Sequence, residues 1–252
     1  MKKNKHVNYI HFHSIGSTST WAKENAAILD PHQITCITAQ EQTAGRGRFQ
    51  RKWISPKGLN LCATFYFCVP LKSSCIPNLG QVLCISCASM LKSFGFSPSI
   101  KWPNDILLGG KKVAGILCET TQIESLKEEE LLSVALGIGL NINTDDETLS
   151  SIDQPATSLK QISNQEWSIE KLLHKLSSYF VEDLDTLLSR GFQPFASTFD
   201  ELLAFKGKHV SVQDGNRLLT GVCHSISKTG NLVLLSDTGE KIEAFAGSII
   251  SN

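Results

Sequence analysis

Residues 41–53 read EQTAGRGRFQRKW, and four cations, Arg46, Arg48, Arg51 and Lys52, fall within seven positions, with Gly45 and Gly47 set between and before the first two. Guanidinium groups grip phosphate or carboxylate oxygens through paired donors, and glycine lets a loop close tightly on what it holds. Three further stretches carry side chains able to do chemistry. KWPNDILL holds Lys101, Asn104 and Asp105 around a Trp-Pro turn, where one cation and one carboxylate could orient a phosphate and a Mg²⁺ ion. KKVAGIL opens with Lys112 ahead of an apolar strand, and GIGLNIN sets Gly137 and Gly139 where another backbone or a ligand can lie against a strand. Each stretch also has an ordinary reading: a solvated loop, a structural ion pair, a solvated lysine at a strand's start, glycine packing in a sheet.

Charge balance narrows the choice. Lys+Arg and Asp+Glu both number 24, so the formal net charge is zero. The positive charge is therefore local, which suits a small anion better than nucleic acid bound through bulk potential. No run approaches the ~20 apolar residues that span a bilayer, and MKKNKHVNYIHFH lacks the apolar segment and cleavage site of a secretory signal. A cytoplasmic protein without membrane contact is expected. The eight cysteines lie scattered through apolar segments, and Cys84 and Cys87 form a lone CxxC without companions at zinc spacing. They read as small buried hydrophobes in a reducing compartment.

The elements that must position these residues alternate over the first 200 or so residues. VNYIHFHSI, ITCITAQEQ and GLNLCATFYFCVP have the β-branched and aromatic bias of strands. STSTWAKENAAILD opens with helix-capping hydroxyls, and PNLGQVLCISCASMLKSFG reads as a helix stopped by Gly95. SIKWPNDILL, KKVAGILCET and LLSVALGIGLNIN are expected as three successive strands, with Gly109–Gly110 and the acidic ESLKEEE as turns. Residues 168–204 show helical spacing, and from about Phe205 short strands with DG and TG turns suggest a small β barrel. The expected fold is α+β: a mixed or antiparallel sheet flanked by helices over 1–204, and the barrel over 205–252.

GSTS, EQTAGRGR with RKW, KWPNDILL, KVAGIL and GIGLNIN, in this order over roughly residues 10–145, resemble the biotin–protein ligases, and the C-terminal β segment matches in place and size. The resemblance implies a class II synthetase-like catalytic domain with an SH3-like barrel. It implies that biotin and ATP, with Mg²⁺, give biotinyl-5′-adenylate and pyrophosphate. The biotinyl group then passes to one lysine of a biotin carboxyl carrier protein, typically that of acetyl-CoA carboxylase. A regulatory DNA-binding module preceding the catalytic pattern is not expected, because the pattern begins within about ten residues of Met1. A homodimer through edge strands is left open, as is the barrel's part in the reaction.

Residue by residue, the resemblance makes Lys112 the main catalytic group, beside the biotin carboxylate and the α-phosphate. Arg46 and Arg48 become ligand-gripping arginines on a loop hinged at Gly45 and Gly47, and Arg51 a further nucleotide contact. Asp105 and Asn104 order Lys112, an arginine or the metal, and Asp105 is the one metal-ligand candidate. Ser17, Thr18, Ser19, Gln42 and Gly115 are assigned to biotin; Trp53, Lys101 and Asn141 to the nucleotide; and Trp102 to an apolar wall. Ser17-Thr18-Ser19 stands where the family usually has Ser-Thr-Asn, so the amide's reach is lost at position 19.

The physics agrees with a need for cations. A carboxylate attacking a polyanionic nucleotide meets a repulsion of ~4 kcal/mol per charge pair at 4 Å and an effective dielectric of 20, which fixed cations offset. A lipoate- or octanoate-activating ligase of related fold would need no partners for a ureido ring, so Ser17, Thr18 and Gln42 count against it. An RNA-binding or scaffold protein fits poorly with zero net charge, and a ligase relative without activity is a third alternative.

Overall fold

The computed structural model describes residues 6–123, 130–215 and 217–250. Its main sheet has seven strands: β1 (Val7–Phe12), β2 (Ile34–Ala39), β3 (Asn60–Pro70), β4 (Pro98–Lys101), β5 (Asp105–Leu108), β6 (Lys111–Ile123) and β7 (Leu131–Asn141), in the order β1-β2-β3-β7-β6-β5-β4. Only β1 and β2 run parallel; every other pair is antiparallel, so the sheet is mixed. The acidic turn expected at ESLKEEE lies almost wholly outside the described residues.

Strand periodicity sorts the two faces. Leu61, Ala63, Phe65, Phe67 and Val69 of β3, with Val134, Leu136, Ile138 and Leu140 of β7, enter the main apolar core. That core is completed by α2 (Leu79–Ser93), α5 (Ile169–Arg190) and α6 (Gln193–Leu202). Helix α5 forms because Ser168 caps its start by accepting from Lys171 N, and Leu172, Leu176, Phe180, Leu184 and Leu187 make one buried stripe. Gly191 ends it. The opposite face carries α1 (Thr18–Glu24), which packs Ala22 against Ile37, Tyr66 and Ala135. Beyond α1 this face carries Cys62, Thr64, Gly115, Gly137 and Gly139, with the Trp53 indole lying over Gly139.

KWPNDILL is not one strand. β4 and β5 form a hairpin that turns through a cis Trp102–Pro103 peptide, and Lys101 pairs with Asp105 across it. The proline cannot donate to a ladder, so the chain reverses there. Trp102 is buried, with Nε1 donating to Gly230 O at 3.0 Å, and it borders a second cavity that Arg48 and Asn104 also line. Two short helices between the sheet and α5, α3 (Asp146–Ser150) and α4 (Leu159–Ser163), were not expected. Cys84 and Cys87 are buried free thiols on α2, whereas Cys68 is half-buried and Cys118 exposed.

The C-terminal segment is a five-stranded antiparallel sheet, β8 (His209–Asp214), β9 (Arg217–Ile226), β10 (Leu232–Leu235), β11 (Lys241–Ala244) and β12 (Ser248–Ile250), ordered β11-β10-β9-β8-β12. Its Val210, Val212, Leu232, Leu234 and Ala244 belong to the same apolar cluster as the main sheet. The two sheets thus share one interior. Polar contacts fasten them as well: Gly230 O also accepts from Gln81 Nε2 at 2.6 Å, and Asn78 Nδ2 donates to Thr229 O at 2.9 Å. No helix among the described residues is long and apolar enough to cross a membrane.

Candidate active site

Sheet register brings the motifs together. Cys62 of β3 pairs with Gly139 of β7, Gly139 with Gly115 of β6, and Gly115 with Asp105 of β5, so one row crosses four strands. A second row runs Thr64, Gly137, Leu117. Both rows face the α1 side, and their glycines make a low floor. A methyl group at Gly139 would overlap the Trp53 indole, and one at Gly137 would lie 2.6 Å from Ser19 Oγ. The floor is therefore shaped to let side chains and a ligand approach the backbone.

Over this floor lies a basin of about 790 Å³, a volume that includes the solvent at its open mouth. Ser17, Thr18, Ser19 and Gln42 line one end, Trp53 the wall, and Asn104, Asp105, Lys112 and Gly115 the other end, with Arg46, Gly47, Arg48 and Arg51 above. Besides Trp102, three expected site residues stand off it. Gly45 serves the loop: its carbonyl accepts from Trp53 N at 2.9 Å, and a Cβ there would sit 2.8 Å from Trp53 O. Asn141 is buried beneath the basin and donates to Thr157 O at 3.1 Å; it borders a small adjoining cavity with Lys112 and Trp53. Lys101 pairs with Asp105 across the hairpin and is half-buried, and burial lowers its pKa against the opposing pull of Asp105.

The basic loop is itself a small hairpin. Gly47 N donates to Arg51 O at 2.7 Å, Arg46 bridges to Lys52, and the tip residues Phe49 and Gln50 adopt positive φ of 55° and 57°. Phe49 is 70% exposed. The two leading arginines go to different places. Arg48 Nη1 donates to Asn104 Oδ1 at 2.8 Å, whose Nδ2 donates to Ile116 O at 2.8 Å. Burial lowers the Arg48 pKa and the nearby Asp105 raises it. Arg46 instead reaches α1, where Nη2 donates to Thr20 Oγ1 at 2.8 Å.

At the deep end Lys112 Nζ lies 2.8 Å from Asp105 Oδ1 and 5.8 Å from the Trp53 ring centroid. At the α1 end Gln42 Oε1 accepts from Thr18 N at 2.8 Å and Thr18 Oγ1 at 3.1 Å, while Thr64 Oγ1 lies 2.8 Å from Thr18 Oγ1 and 3.0 Å from Ser19 Oγ. Ser17 caps α1, accepting from Thr20 N at 3.4 Å. Hydroxyls and an amide therefore converge at one end, and an ammonium, a guanidinium and a carboxylate at the other. The buried indole nitrogen of Trp53 has no partner.

Among the described residues no three His, Cys, Asp or Glu side chains cluster so as to hold a metal. The one carboxylate at the deep end is already ion-paired. This donor set fits a magnesium ion carried in on nucleotide phosphates, the usual habit of that ion, better than a protein-built cage.

Thr64, Thr20, Glu119, Gln154 and Ser248 were missed. A threonine in an apolar strand is ordinary, and Ser248 comes from the far C-terminal sheet, so neither announces itself. Glu119 does give a signal, a charge inside the otherwise apolar GILCET.

The sequence profile of the Biotin/lipoate A/B protein ligase family matches residues 11–141. The bifunctional ligase/repressor BirA of Escherichia coli is 30% identical over 207 residues, which cover 80% of this chain and 61% of that protein. The chain thus spans less than two thirds of that relative. The biotin–[acetyl-CoA-carboxylase] ligase of Paracoccus denitrificans is 29% identical, covering 82% of this chain and 86% of the relative. Among solved structures, the Aquifex aeolicus biotin protein ligase in complex with biotin and ATP superposes with a TM-score of 0.79 at 28% identity, covering 97% of this chain and 98% of its own.

Proposed function

The chain belongs to the biotin/lipoate A/B protein ligase family, and from that premise we propose that it is a biotin–protein ligase with the basin as its active site. One observation carries the reading: a glycine-floored slot with a cluster of hydroxyls and an amide at one end and the Lys112–Asp105 pair beside Arg48 at the other. A ureido ring needs both donors and acceptors, since a buried unpaired polar group costs ~1–3 kcal/mol. Thr18, Ser19, Gln42 and Thr64 supply them. The valeryl chain lies against Trp53 and the glycines, which brings its carboxylate toward Lys112.

ATP enters above Lys112 with its phosphates beneath Arg48 and Arg51, and Mg²⁺ supplies charge neutralisation on those phosphates. A carboxylate oxygen forms a bond to the α-phosphorus, the α–β bridging bond breaks, and pyrophosphate leaves. No base is required, because the carboxyl is already ionised at neutral pH. Lys112, held by Asp105, offsets the repulsion between the two anions, and Arg48, held by Asn104, stabilises the charge that builds on the phosphoryl oxygens. In the second step the neutral nitrogen of an acceptor lysine bonds to the acyl carbon, the acyl–oxygen bond to the phosphate breaks, AMP departs, and the nitrogen's surplus proton passes to solvent. A free lysine is less than ~0.1% neutral at pH 7, and Lys112 lowers that barrier by disfavouring a second ammonium beside it. The partner is a biotin-carrying carboxylase, and the carrier domain of acetyl-CoA carboxylase is the finer assignment.

The test is pyrophosphate release from ATP and Mg²⁺ with biotin, with lipoate in parallel, followed by transfer to a carrier domain. Release with biotin alone is expected. Release with lipoate alone would transfer the assignment to the lipoate branch, and none with either would end the ligase reading.

A further inference from the structure

Glu119 lies on β6 beyond Gly115 and Leu117, on the same face of the sheet and toward α1, with Ala135 as its β7 partner. Its carboxylate is unevenly used. Oε1 accepts from Lys23 Nζ at 2.6 Å and lies 3.7 Å from Arg46 Nη2, while Oε2 is buried and makes no hydrogen bond. Arg46 meanwhile spends Nη2 on the neutral hydroxyl of Thr20. A guanidinium of the ligand-facing loop therefore stops short of a carboxylate whose nearer oxygen is held by Lys23 and whose other, buried oxygen has no partner. This is an unsatisfied arrangement: buried carboxylate oxygens are costly unless paired, and arginine gains most from two parallel bonds to one carboxylate. Moving Arg46 inward by about 1 Å would bring Nη2 to the ~2.8 Å of a charge-assisted bond with Oε1, and its second guanidinium nitrogen could then pair with Oε2.

We propose that Glu119 is the latch Arg46 engages when the basic loop closes over its ligand. Arg46 then leaves Thr20 and takes both carboxylate oxygens, and Lys23 keeps Glu119 in place while the loop is open. Glu119 is a positioning residue: it acts through Arg46 and touches no reacting atom. The basic loop accordingly divides its work, with Arg48 serving the charged end of the slot and Arg46 fastening the lid to α1 and β6. The proposal rests on the biotin–protein ligase reading, because the acyl-adenylate is what the closed loop retains.

Full-length wild-type protein is charged with labelled biotin and ATP, and pyrophosphate is measured first; none would overturn the ligase reading and the latch together. Retained label is then chased with unlabelled biotin in wild type, Glu119→Gln, Arg46→Met, the double variant and Lys23→Met, with thermal midpoints recorded for each. Glu119→Gln keeps size and removes charge, and is expected to release label about tenfold faster, ~1.4 kcal/mol, while its single-turnover rate of pyrophosphate formation changes much less. The double variant is expected to release no faster than Arg46→Met. Lys23→Met leaves Glu119 wholly to Arg46, so its release should match wild type or be slower. A purely structural ion pair would respond equally to Lys23→Met and Glu119→Gln, and that result overturns the latch. Wild-type release from Glu119→Gln, or additive effects in the double variant, would overturn it too, with the ligase reading untouched.

Discussion

Replacing Lys112 with methionine keeps the stem and removes the ammonium, which strands Asp105. Both side chains are largely buried, 17% and 16% exposed, and Asp105 Oδ1 has no hydrogen-bond partner beyond this ion pair. Breaking a fully buried pair from one side costs ~3–5 kcal/mol; residual exposure at the basin floor lowers this to about 2–3 kcal/mol. At ~2–4 °C per kcal/mol for a chain of this size, the melting midpoint should fall by roughly 5–10 °C. Lys112→Met combined with Asp105→Asn removes the orphaned charge and should recover most of that loss. Activity should not follow. Pyrophosphate release should drop about 10²–10³-fold, the scale of losing one preorganised charge-stabilising group, in the single and double variants alike. Differential scanning calorimetry and a coupled pyrophosphate assay on the four corners of this cycle give both readouts. Equal midpoints for the single and double variants would show that the pair is not coupled. Recovery of activity in the double variant would remove Lys112 from the reaction.

Gly139→Ala places a methyl where the Trp53 indole lies, so biotin affinity measured by titration calorimetry should fall about tenfold, within the ~1–3 kcal/mol of overpacking. Gly230 sits at φ +87°, and an added Cβ would overlap Asn78 and Gln81; Gly230→Ala should loosen the C-terminal sheet and speed its release by limited proteolysis near residues 205–208. Burial raises the Asp183 pKa despite the bond from Ser86 Oγ at 2.7 Å. The folded state therefore holds that proton more tightly than the unfolded one, and stability falls as pH rises from the ordinary carboxylate value through the folded pKa. Asp183→Asn keeps an acceptor for Ser86 and should lack that decline in a denaturation series from pH 4 to 8.

The chemistry-bearing segments and the strand–helix alternation were legible in the residues themselves, because charge spacing, glycine placement and periodicity are local properties. GRGR, KWPND, KVAGIL and GIGLNIN stand out whatever the fold, and α5 with its capped, four-spaced apolar stripe needs no partner to be recognised. Where those segments meet was not legible. The row Cys62–Gly139–Gly115–Asp105 exists only because four strands adopt one register, and register is set by pairing across the sheet, not along the chain. The same holds for the split between Arg46 and Arg48, two residues apart yet directed to α1 and to Asn104. Trp53 and Trp102 are alike in sequence, each beside charged neighbours, and only packing put one on the slot wall and the other in the core. Side-chain identity thus declares what chemistry is available, while long-range contacts, which carry the entropy cost of closing large loops, decide which groups share a site.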